Sequence, residues 1–199
     1  FKGVYPQFSR TANRHDFSLL PNRPTALDFL AESGFKTIGV GKIYDIFAGR
    51  GVSDTVLTKG NTDGMKRTLE IMKDDFKGLC FVNLVDFDMI YGHRNDIDGY
   101  AAAMSEFDAW LAEFLARMNK DDVLMITADH GCDPGTVSTD HSREYTPFIA
   151  FGEGIKSGYS LGTRACFGDI GSTILDIFEV RGRLDGNSFW QQIQEDSRS

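Results

Sequence analysis

Val-Leu-Met-Ile-Thr-Ala-Asp-His-Gly, residues 123–131, passes from a short apolar run directly into an acidic, glycine-containing turn. A continuous apolar run of this length is the pattern of a strand buried on both faces, as strands of parallel sheets are. The same arrangement occurs upstream, where the apolar stretch 79–85 is followed at once by Asp86 and Asp88. In open α/β sheets ligands bind beyond the carboxyl ends of the strands. Two separate strands therefore deliver Asp and His side chains to one edge of a sheet.

Working outward, 37–40 and 148–151 read as further strands, and helical patterns fall between the strands. Asn22, Pro24 and Gly34 bracket a short amphipathic segment carrying Leu27, Phe29 and Leu30, with Pro suited to a first helical turn and Gly to its end. Residues 49–64 read as a Gly-, Thr- and Asp-rich loop leading into a helix at 65–73. From Met104, the residues Phe107, Leu111, Phe114, Leu115 and Met118 recur at helical spacing, which predicts one face in the core. Asp169 is expected to cap a last helix containing Ile170, Ile174, Leu175 and Phe178. Alternating strands and helices predict a layered α/β fold with a mostly parallel central sheet flanked by helices.

Composition supports a folded core: 41% of the 199 residues are hydrophobic, and sixteen Phe and two Trp supply large buried surfaces. A net charge of −8, without a basic stripe to offset it, argues against nucleic acid as a partner. No apolar stretch approaches the roughly 20 residues of a membrane span. Three widely spaced cysteines, Cys80, Cys132 and Cys166, form no disulfide or zinc-knuckle pattern and fit a reducing cytoplasm. The first residue is Phe rather than Met, which is compatible with a fragment of a longer protein.

Of only four histidines, three lie in acidic, glycine-containing turns: His93 in 86–93, His130 in 129–131 and His141 in 139–144. Carboxylate oxygen with imidazole nitrogen suits Mn²⁺ or Zn²⁺ better than Ca²⁺, which prefers oxygen alone. Taken singly, each pair has an ordinary alternative as a loop polar group. Together, Asp88, His93, Asp129, His130 and His141 exceed the needs of one tetrahedral catalytic site and suit two ions sharing a cleft. Two such ions clamp the attacking and leaving oxygens of a phosphoryl or sulfuryl transfer. Competing motifs fail: the stretch 39–43 lacks the residues of a P-loop, and no Gly-x-Ser-x-Gly elbow occurs.

The stretches Asn-Leu-Val-Asp-Phe-Asp (83–88), Tyr-Gly-His-Arg (91–94), Thr-Ala-Asp-His-Gly (127–131) and Thr-Asp-His-Ser-Arg-Glu-Tyr-Thr-Pro (139–147) resemble the phosphopentomutase branch of the alkaline phosphatase superfamily. So do Arg-Thr-Ala-Asn-Arg-His-Asp (10–16) and Gly-Lys-Ile-Tyr-Asp-Ile-Phe (41–47), and the similarity runs over nearly the whole chain. The resemblance implies the C-terminal half of such an enzyme, with 1–20 as the end of a cap domain and hinge and 21–199 as part of the metal-binding core. It implies Asp88, His93 and His141 on one Mn²⁺ and Asp129 and His130 on the other, with Zn²⁺ or Mg²⁺ as alternatives. The remaining ligands, an Asp and a phosphorylated Thr nucleophile, would lie in a missing N-terminal half. The implied reaction interconverts 1- and 5-phosphates of ribose or deoxyribose, with a sugar bisphosphate as activator. Arg14 and Lys42 match positions resembling substrate-phosphate contacts, Arg through a bidentate fork and Lys as a point charge.

Arg143 and Glu144 could orient ligands or form a surface ion pair. Asp86 is expected to organise its turn, His15 to be a loop residue, and Cys132, where the family usually has Asn, to be an inert thiol. Two other readings stay open. One is a different phosphoryl-transfer enzyme of the superfamily, of phosphoglycerate mutase or phosphodiesterase type. The other is a non-catalytic metal-binding fragment, since a transferase without its nucleophile cannot hold the phosphate between half-reactions.

Overall fold

The structure is a computed structural model and describes residues 2–9 and 18–195. Its first element is a small antiparallel hairpin of β1 (Lys2–Val4) and β2 (Gln7–Ser9). Helix α1 (Ala26–Glu32) follows Thr25, whose backbone N–H and hydroxyl both donate to Asp28 at the third helical position, at 2.5 and 2.9 Å. This reciprocal cap satisfies amide groups that a helix start otherwise leaves open. Pro24 therefore stands just ahead of the cap rather than within the first turn.

Strand β3 (Lys36–Val40) is the centre of a three-stranded parallel sheet of order β4-β3-β5, with β4 at Asp54–Val56 and β5 at Gly78–Val82. Thr37, Ile38 and Val40 of β3 pack with Leu27 and Leu30 of α1 among the most buried side chains. Short α2 (Ile43–Ile46) follows β3, and α3 (Asn61–Ile71) connects β4 to β5. Helix α3 begins four residues before the predicted 65. Asp86 Oδ2 accepts from the Asn61 amide at 2.6 Å while Asn61 Oδ1 accepts from the Asp86 amide at 2.9 Å, so a partner 25 residues away holds the first turn.

After β5 the chain enters a single π-turn (Phe87–Tyr91), a 3₁₀ turn (Gly92–Arg94) and then α4 (Ile97–Leu115). Asp96 caps α4 by accepting from the Gly99 amide at 2.9 Å, which starts the helix well before its apolar stripe. That stripe is not the fully buried face the spacing predicts. Ala103 is buried, Phe107, Trp110, Leu111, Phe114 and Leu115 are half-buried, and Met104 is exposed.

Strand β6 (Val123–Thr127) pairs with β7 (Phe148–Gly152) in antiparallel register, in a ladder separate from the parallel sheet. The architecture is α/β with a parallel sheet flanked by helices, and the β6–β7 pair and the β1–β2 hairpin are antiparallel. β5 and β6 have the composition of strands covered on both faces, yet their side chains are half-buried at most, and Phe81, Ile149 and Phe151 are 40%, 56% and 50% exposed. Helix α5 (Gly168–Ile177) and short α6 (Trp190–Ile193) close the fold. Asp169 lies inside the first turn of α5 rather than capping it; it is buried and accepts from Arg164 Nε at 2.7 Å and from the Asn187 amide at 2.8 Å. Among the described residues no helix is long and apolar enough to cross a membrane.

Candidate metal centre

The π-turn after β5 carries Asp88, and such widened turns recur at functional sites because they re-aim a side chain within a helical path. Asp88 Oδ1 faces His141 Nε2 at 3.1 Å and His93 Nε2 at 3.3 Å. The His130 ring stacks on His141, with centroids 3.7 Å apart and planes inclined by 20°. Ligand atoms of Asp88, His130 and His141 all lie within 4.8 Å of one another. Atoms sharing an ion at bond lengths of about 2.0–2.2 Å lie roughly 3–3.5 Å apart, so the Asp88 contacts have the spacing of a ligand set.

Backbone carbonyls orient two of the rings. His93 Nδ1 lies 2.6 Å from the Thr139 carbonyl and His130 Nδ1 lies 3.1 Å from the Gly131 carbonyl. With Nδ1 donating, Nε2 presents a lone pair toward the centre, the arrangement usual for metal-ligating imidazoles. Asp129 stands at the rim: its side chain is 76% exposed and its Oδ1 is 3.6 Å from His130 Nε2. The structure thus gathers Asp88, His93, His130 and His141 closely, with Asp129 reached through His130.

Lys42 occupies the N-cap position of α2, directly after β3. Gly41 has φ +80°, and a Cβ there would stand 2.5 Å from the Asn83 carbonyl, so the turn carrying Lys42 is pressed against the end of β5. Lys42 and Asp88 therefore both follow carboxyl ends of the parallel sheet. Arg14 and His15 lie outside the described residues. Asp86 holds the start of α3 through Asn61, a role beyond the organisation of its own turn that the sequence suggested. Glu144 accepts from the Ser142 hydroxyl, which accepts from the Asp133 amide at 2.8 Å; Ser142 also bridges to Gly131. That link fixes the chain between His130 and His141.

Sequence reasoning missed how Cys132 enters the site. Its Sγ lies 3.6 Å from Asp88 Oδ1, against Gly92, and burial together with the Asp88 charge pushes the thiol up to about 11. The available signal was Gly92, since a glycine between Tyr91 and His93 marks a close approach.

Asp88 follows β5 of the parallel sheet while Asp129 and His130 follow β6 of the separate ladder, so the Asp/His centre of this α/β protein joins the ends of two sheets rather than one edge of a single sheet. Residues 26–181 match the profile of the metalloenzyme superfamily, and the chain belongs to that superfamily. It is 59% identical over 192 residues to a phosphopentomutase of Lachnoclostridium phytofermentans, covering 96% of this chain and 49% of that protein. It is 51% identical over 195 residues to a phosphopentomutase of Carboxydothermus hydrogenoformans, covering 98% and 50%. The chain thus spans about half the length of the curated relatives it matches. A Leishmania mexicana phosphoglycerate mutase structure shares the fold at TM-score 0.64 and 17% identity, covering 82% of this chain and 38% of that one. The PH0037 protein of Pyrococcus horikoshii shares it at TM-score 0.55 and 22% identity, covering 69% and 43%.

Proposed function

We propose that the intact protein is a phosphopentomutase, interconverting the 1- and 5-phosphates of ribose or deoxyribose, and that this chain is the C-terminal part of its metal-binding core. The observation that carries the reading is the convergence of Asp88, His93, His130 and His141 in a chain 59% identical over 192 residues to a phosphopentomutase. Asp88, His93 and His141 hold one divalent ion; Asp129 and His130 contribute to a second. The donor set of carboxylate and imidazole fits Mn²⁺, with Zn²⁺ or Mg²⁺ as alternatives. When bound, such ions neutralise charge on a phosphoryl group in transfer.

This chain's own residues orient and bind. The Thr139 and Gly131 carbonyls set the His93 and His130 rings, and Lys42 and Arg14 engage the substrate phosphate. Residues 1–20 form the end of a cap domain and hinge, and 21–199 the core. The Thr nucleophile and remaining ligands come from an N-terminal half, which also covers the half-exposed strands β5 to β7 and the apolar stripe of α4. Relatives of twice this length support that partner. The compartment is the cytoplasm.

The test is conversion of ribose 1-phosphate to ribose 5-phosphate by the intact protein with Mn²⁺ and a ribose bisphosphate activator. Turnover is expected. No turnover, with interconversion of 2- and 3-phosphoglycerate instead, would overturn the assignment in favour of another reaction of the superfamily.

A further inference from the structure

The loop of residues 133–141 carries His141 to the centre, yet it has little apolar anchorage: Val137 at its tip is fully exposed, and most of the loop's residues are exposed as well. A segment without buried apolar contacts takes its position from polar tethers. Asn95 provides several of them, beside the Ser142 links to Asp133 and Gly131. The two hydrogens of its Nδ2 serve three carbonyls, of Thr136, Ser138 and Pro134 at 2.7, 3.1 and 3.2 Å, so one is shared. These carbonyls alternate along the loop, so one edge of its backbone is turned toward a single amide group.

Asn95 is also fixed at its own end. It closes the 3₁₀ turn that contains His93, with φ 52° and ψ 32°, a left-handed conformation that Asn tolerates better than most residues. Its backbone N–H donates to the Gly92 carbonyl at 3.1 Å. His93, two residues earlier, meets the same loop through the Thr139 carbonyl. The segment bearing Asp88 and His93 and the loop bearing His141 are thereby joined through Asn95, and His141 Nε2 stands 3.1 Å from Asp88 Oδ1 across that joint.

Building on the metal reading above, we infer that Asn95 is a positioning residue for the centre: it presets the distance between Asp88 and His141 before an ion arrives. Groups that orient ligands from outside the coordination sphere typically change metal affinity by about 10- to 100-fold when removed. Pre-set geometry acts by sparing the ion the cost of ordering the loop.

The experiment titrates the intact protein with Mn²⁺ against a chromophoric chelator and records the Mn²⁺ electron paramagnetic resonance spectrum. It compares wild type, Asn95→Gly, Asn95→Asp and His141→Ala, with unfolding of each apo protein followed in parallel. Asn95→Gly keeps access to the left-handed backbone. Asn95→Asp is isosteric, tolerates the same backbone, and sets acceptors against the three carbonyls.

The expected result is an apo unfolding midpoint near wild type for Asn95→Gly, an affinity loss of about 10- to 100-fold for the ion at Asp88 and His141, and a broadened spectrum. Asn95→Asp loses at least as much. Wild-type affinity and spectrum in both Asn95 variants, with affinity lost in His141→Ala, overturn the positioning role and leave the metal centre standing. If wild type takes up no ion, or His141→Ala binds like wild type, the metal reading fails and this inference with it.

Discussion

Gly92→Ala probes the packing that aims Asp88. Gly92 has φ −58° and ψ −58°, so alanine suits its backbone and gains about 1 kcal/mol of helical preference. The new methyl, however, lands well inside contact with Cys132 Sγ and 3.0 Å from the Phe87 carbonyl. The sulfur must retreat by about 1 Å or more to reach ordinary contact. Overpacking of this kind costs about 1–3 kcal/mol, leaving a net loss of about 0–2 kcal/mol after the backbone gain. Because Sγ is the main obstacle, Cys132→Ala in the same protein should recover most of the loss, with a coupling of about 1–3 kcal/mol in the double-mutant cycle. Urea unfolding of the four chelator-treated proteins measures this. Additivity within about 0.5 kcal/mol would refute the packing account.

Two further outcomes follow from groups outside the centre. Burial acts to raise the Asp28 carboxyl, but the Thr25 amide and hydroxyl and the Arg50 guanidinium outweigh it and hold the group below its ordinary value. A depressed carboxylate stabilises fully above its unfolded value of about 3.9 and loses that contribution as pH falls through the folded value. Asp28→Asn should therefore cost about 2–4 kcal/mol at pH 7, with the gap to wild type narrowing below pH 4 in pH-dependent urea titrations; a pH-independent gap would contradict it. Burial pushes the Cys80 thiol up to about 11, whereas Cys166 is exposed. Iodoacetamide at pH 8 should label Cys166 and spare Cys80 until denaturant is added, as peptide mass spectrometry would report.

The apolar runs at 37–40, 79–85, 123–126 and 148–151 were legible as strands because each concentrates branched and aromatic residues in a short span, although the second overran β5, which ends at Val82. The candidate ligands were legible because Asp and His follow those runs within a few residues. What escaped was non-local. The start of α3 depends on Asp86 across the sheet, and Asp169 is held by Arg164 and Asn187 instead of capping its helix. The start of α4 lies in a polar stretch, 96–99, where the Asp96 cap and not hydrophobic period sets the boundary. The α4 stripe reads as core by spacing, but spacing carries no information about whether a covering layer is supplied within these 199 residues. The loop carbonyls that meet Asn95 leave no trace in side-chain identity, since any residue at 134, 136 or 138 presents the same oxygen.

The claim on which the rest depends is that the two strand ends hold divalent ions. Calorimetric titration of the intact, metal-stripped protein with Mn²⁺ tests it most directly, with Asp88→Ala and His141→Ala beside wild type. Two ions per wild-type molecule and the loss of one in each variant are predicted. Equal uptake in all three proteins, or none in wild type, would contradict the account.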